Sequence, residues 1–293
     1  MRYIISIALA SLLSLPARAD VPRVVTDLPP VGSLVAQVMG DLGAPVVLLD
    51  NGADAHAFQL RPSQAADVAE AQAIIWIGPQ MTPWLDRAMA GRSTKGMDLQ
   101  LLAVPGTVLL NFADDHADHD HGRTDPHAWL DPANAAVWLA AISGVLSEFD
   151  PANAATYAAN AATAQIDLQR LDADLQALLA PAKDRPLVVF HNAYSYFTSR
   201  YGLNVVGAIS DGDAASPGAA HLRDLQSRIG EGPVCLFPEA NHDPKLLATL
   251  AETPGVKIGA ELDPEGSAQP IGPTLYEDMM RAMAQAIADC VLR

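Results

Sequence analysis

Three of the eight histidines stand in or beside loops at the expected cleft, two of them after segments that read as strands, the places where an α/β fold presents side chains to a ligand. His56 follows the apolar run Val46-Val47-Leu48-Leu49, His127 lies in Asp125-Pro126-His127-Ala128-Trp129, and His191 comes directly after Val188-Val189-Phe190. Neutral imidazole is the commonest side-chain ligand for zinc, and three of them with one further oxygen complete a tetrahedron at about 2.0–2.1 Å per bond. Spacing alone does not settle the matter, because a single histidine serves equally as a hydrogen-bonded core or surface residue. A second group, Asp114-Asp115-His116-Ala117-Asp118-His119-Asp120-His121-Gly122, has no apolar anchor. It reads as a weak metal-binding loop using His116, His119, His121, Asp118 and Asp120, or as a solvated acidic insertion.

The elements that must position these residues follow a βαβ rhythm. Val24-Val25-Thr26 precedes a helix over Ser33–Met39, and Val46–Leu49 is the next strand. Helix at Ser63–Glu70, strand at Ala73–Ile77 and helix at Met81–Ala88 repeat the pattern. Continuous apolar strands of this kind belong to a parallel sheet covered on both faces. Residues 20–150 are thus expected to form an N-terminal α/β lobe carrying the His/Asp-rich loop 113–123. A linking helix follows over 151–182, its stripe Leu168, Leu171, Leu175 and Leu178 spaced by 3 and 4; its alternative is a hairpin within the first lobe. The rhythm restarts at Leu187–Phe190, giving a C-terminal lobe over 183–293. The fold class is α/β, two (βα)n lobes with parallel-rich sheets joined by one long rigid helix, with a ligand cleft between them.

Composition bounds the partners. A net charge of −16, from 18 Lys+Arg against 34 Asp+Glu, excludes nucleic acid as the first expectation. The apolar run Tyr3–Leu15, after Arg2 and before Ala17-Arg18-Ala19, reads as a signal peptide (1–19) cut near Ala19. It is short of the roughly 20 residues of a membrane span. No cysteine follows the cut to accept a lipid, so the expected product is exported and soluble rather than membrane-inserted. Export makes an oxidising compartment the setting for Cys235 and Cys290, read as one disulfide; two buried thiols are the alternative.

Four blocks taken together resemble the periplasmic zinc-binding subunits of bacterial zinc ABC importers, of the ZnuA type. They are Asp54-Ala55-His56-Ala57-Phe58-Gln59-Leu60-Arg61-Pro62-Ser63, the acidic His-rich loop, His127-Ala128-Trp129-Leu130-Asp131-Pro132, and Phe190-His191-Asn192-Ala193-Tyr194-Ser195-Tyr196-Phe197. Cys235 and Cys290 resemble the disulfide pair of that type, and Leu262-Asp263-Pro264 resembles an Asp-Pro turn of the wider family. The resemblance implies that His56, His127 and His191 clasp one Zn2+ carried as cargo, with Asp263 or water as fourth ligand. In manganese relatives a carboxylate stands at the position matching His191, so the third imidazole implies zinc. One departure is Ala55, where relatives carry an acidic residue. Glu239, just after the strand Val234–Phe237, is the candidate to orient an imidazole N–H.

The expected function is therefore non-enzymatic: capture of Zn2+ and delivery to the membrane permease of an ABC importer by a monomer, with a zinc-loading chaperone as a further partner. A manganese or iron carrier of the same fold is the alternative. A zinc hydrolase is a lesser one, because three histidines plus water also make a catalytic site, yet H-E-x-x-H and G-x-S-x-G are absent.

Overall fold

The computed structural model describes residues 21–50, 52–92, 96–112, 124–210, 218–229, 233–240, 242 and 247–292. The signal segment 1–19 and the loop residues His116, Asp118, His119, Asp120 and His121 lie outside them. The chain runs β1 (Val24–Thr26), α1 (Pro29–Met39), β2 (Val46–Val47), α2 (Pro62–Glu70), β3 (Ala73–Trp76), α3 (Pro83–Ala90), β4 (Met97–Gln100), α4 (Pro132–Phe149) and α5 (Ala154–Leu179). It continues with β5 (Pro186–His191), α6 (Ser195–Tyr201), β6 (Asn204–Ser210), α7 (Ala219–Ile229), β7 (Val234–Leu236), α8 (Ala248–Ala251), β8 (Val256–Ile258) and α9 (Leu275–Leu292).

Two four-stranded sheets result, ordered β2-β1-β3-β4 and β6-β5-β7-β8. Every strand pair is parallel, with registers such as Val25↔Val46 and Leu187↔Cys235. β1 and β3 are buried at every residue, so they carry unbroken apolar runs rather than alternation. No helix among the described residues is long and apolar enough to cross a membrane.

The long helix α5 packs on α1 and α4 of the first half and on α6 and α9 of the second. Its buried stripe is Leu168, Leu171, Leu175 and Leu179, with Leu178 half-buried. This differs from the expected Leu178 because a 3.6-residue period carries the stripe to 179 after 175. β4 has no counterpart in the sequence reading: only half-buried and exposed residues make it up, so no apolar run marks it.

Cys235 of β7 and Cys290 of α9 form a disulfide, Cα to Cα 6.1 Å, across 55 residues. It ties the last helix to the centre of the second sheet. Replacing both with Ser should lower the unfolding free energy by about 2–4 kcal/mol, chiefly by freeing the unfolded chain. Urea titration of the oxidised parent and the double variant measures this; equal midpoints would mean that packing of α9 alone fixes the helix.

Candidate metal centre

The three histidines reach one region from three segments of the chain: His191 from the end of a strand, and His56 and His127 from loops. His191 is the last residue of β5. His56 sits in the loop after β2, where the Asp54 carboxylate accepts from the amides of His56 at 2.8 Å and Ala57 at 3.3 Å. Ala55 is buried, and its carbonyl accepts from the Trp84 indole at 2.7 Å, which fixes the loop to α3. His127 precedes α4, whose first turn is set by Asp131 accepting from the Ala133 amide at 2.9 Å and by Pro132 at the first helical position.

His127 lies between the other two. Its ring centroid is 5.5 Å from that of His56 and 5.5 Å from that of His191. Two imidazoles bound to one tetrahedral zinc have centroids about 5.2 Å apart, taking bonds of 2.0–2.1 Å. Each buried ring is oriented by a carboxylate behind it. His127 Nδ1 lies 2.7 Å from Asp125 Oδ1, which also accepts the His127 amide at 3.0 Å. His191 Nδ1 lies 2.7 Å from both oxygens of Glu239. A carboxylate only accepts, so Nδ1 carries the proton in each ring and Nε2 keeps its lone pair for a ligand. His127 Nε2 is buried and has no hydrogen-bond partner among the described residues. A buried polar atom left in this way is costly, and a metal ion removes the cost.

Electrostatics agree with a divalent cation. Three neutral imidazoles add no charge, while Asp125 and Glu239 stand directly behind two of the rings. Burial pushes the Glu239 carboxyl up, but the His191 ring and hydrogen bonds from His191, His242 and Tyr194 outweigh it and hold the group below the usual glutamate range.

Asp263 is placed differently. Its carboxylate accepts from the Ser267 amide at 3.0 Å, the Ser267 hydroxyl at 3.2 Å and the Ala268 amide at 2.7 Å, closing its own turn. Gly266 completes that turn at φ +70, with a would-be Cβ only 2.7 Å from Leu275. A parallel bridge between Glu239 and Leu262 brings Asp263 into the wall of a cavity of about 80 Å³ shared with Asp54, Glu239 and His242. The grouping of ligand-type atoms all within 4.8 Å of one another is His191, Glu239 and His242 among the described residues. The three imidazoles do not meet that limit together.

A model of the family described as zinc-uptake complex component A, periplasmic, matches residues 24–290. The chain belongs to this ZnuA family. The high-affinity zinc uptake system protein ZnuA of Paracoccus denitrificans is 48% identical, the alignment covering 98% of each chain. A crystal structure of ZnuA matches with a TM-score of 0.78 at 26% identity, over 92% of this chain and 99% of that one. A zinc-bound deletion form of ZnuA matches at 0.77 and 26%, over 92% and 98%. Within this ZnuA-family chain, sequence reasoning passed over Asp125, although its place two residues before His127 was the available signal. It also passed over His242, three residues after Glu239, which no apolar pattern or motif singles out.

Proposed function

We propose that the chain is an exported, soluble zinc carrier that captures Zn2+ through His56, His127 and His191 and hands it to the membrane permease of an ABC importer. The reading rests most on the His127 ring, locked at Nδ1 by Asp125, with a buried, unsatisfied Nε2 between two further imidazoles. Water or Asp263 supplies the fourth ligand; the three hydrogen bonds that Asp263 already accepts weigh toward water. The signal peptide is cut near Ala19, the lobes run over 20–150 and 183–293 around the linking helix 151–182, and the carrier acts as a monomer. No covalent chemistry is involved: Glu239, the carboxylate best placed to be a general base, is committed to His191.

Imidazole-rich sites favour zinc over manganese, following the order of divalent affinities. The mature protein, stripped of metal and offered both ions at equal concentration, should therefore take up zinc. Uptake of manganese in preference would decide for a manganese carrier of this fold. The same assay on protein lacking 114–122 tests the loop as a collecting site: slower zinc capture is the expected result, and unchanged rate and stoichiometry would reduce the loop to a solvated insertion.

A further inference from the structure

Behind His191, on the Nδ1 side of its ring, donors converge that the three-imidazole arrangement does not use. Glu239 is buried, and both of its oxygens lie 2.7 Å from His191 Nδ1. Oε2 accepts from the Tyr194 hydroxyl at 2.8 Å and from His191 Nδ1 at 2.7 Å. Oε1 also faces His242 Nε2, at 3.4 Å. A charge-assisted N–H to carboxylate contact closes to about 2.7–2.9 Å, as the adjacent His191 contact does. The His242 contact is longer and weaker. Its 3.4 Å is instead close to the roughly 3.3 Å between two donors on one tetrahedral zinc ion. Packing aims the ring: His242 stacks on Phe190 with centroids 4.3 Å apart and planes 27° apart. His242 and Glu239 line the cavity of about 80 Å³ whose other walls include Asp54, Asp263 and Glu265. A water takes about 30 Å³ of liquid volume, so an ion with one or two waters fits.

We propose that His242 Nε2 and Glu239 Oε1 form a second, weaker zinc site beside the three-imidazole site, completed by water and a carboxylate of the cavity wall, where zinc pauses on entering or leaving. The inference rests on the zinc reading above and deepens it. Glu239 is shared: Oε2 holds the proton side of His191, whose opposite nitrogen faces the first site. An ion on Oε1 draws charge from that carboxylate and makes His191 a poorer ligand. The two sites therefore weaken each other, and by linkage they do so equally. An arriving second ion thus loosens the first, which suits a carrier that must release a tightly held cargo.

The test uses the full mature chain with His116, His119 and His121 changed to Ala, so that loop binding is silenced. Calorimetric zinc titration of this background should show two equivalents, the second weaker by about 10²-fold or more, as expected for one imidazole in place of three. His242→Ala, and His242→Phe, which keeps a ring against Phe190, should each remove the second equivalent and leave the first within about threefold. A background that takes one equivalent only, or a second equivalent that survives in His242→Phe, overturns the proposal while leaving the main site standing. A tight equivalent that survives His127→Ala overturns the three-imidazole reading, and this one with it.

Discussion

Replacing His127 with Ala lowers zinc affinity by about a thousandfold or more, beyond the 10–100-fold that loss of an orienting partner costs. The reason is position. His127 is the ring that stands 5.5 Å from both His56 and His191, and its buried Nε2 has no other partner among the described residues. Asp125→Asn keeps the volume and removes only the charge that selects the tautomer, so its loss falls within that smaller range. The Ala variant leaves the Asp125 side chain, fully buried, without the ring it holds. His127→Gln therefore accompanies it, as a side chain of similar reach that can still donate to Asp125. Competition against a chelator of known affinity measures the loss, and circular dichroism shows that the fold persists. If both variants keep affinity within tenfold of the parent, the three-imidazole site is wrong, and the metal centre must be sought in the loop holding His116, His119 and His121.

The framework around these rings was legible from the sequence where burial is complete. The runs at 24–26, 73–77 and 187–190 are apolar without alternation because both sheet faces are covered, and they appear as β1, β3 and β5. A histidine ending such a run must emerge at a sheet's carboxyl edge, which is why His191 could be placed. Contacts between distant segments were not legible. Trp129 donates to the Pro264 carbonyl at 2.7 Å, and Tyr276 donates to the Trp129 carbonyl at 2.7 Å. Tyr196 accepts from the Leu110 amide at 2.9 Å and donates to the Asp125 carbonyl at 2.8 Å, tying α6 to both strands of the neck closed by the Asn111–Thr124 bridge. These bonds join residues 71 to 147 positions apart, and no local period encodes such pairing. They also staple the two halves beside the candidate metal centre.

Acidification from pH 7 to pH 5 weakens zinc binding without unfolding the protein, because only neutral imidazole binds the ion. Protons and zinc compete for the same ligand nitrogens, and the competition compounds over three rings. Among the described residues three buried carboxyls are shifted, Asp27 and Asp131 upward and Glu239 downward. Glu239 has a folded pKa below its unfolded value, so its stabilising contribution is present above about 4.5 and is lost only as pH falls further. Asp27 has the opposite sign. Burial raises it to about 6 against hydrogen bonds from the Ile77 and Leu28 amides and the Thr82 hydroxyl. Its contribution is full below 3.8 and is lost as pH rises through about 6, so acid favours the native state there. Glu239 thus still orients His191 at pH 5, and zinc leaves because protons occupy the ligand nitrogens. The slope of log affinity against pH counts them: a limiting slope above one supports several imidazoles, whereas a slope of one or less leaves room for a single ring.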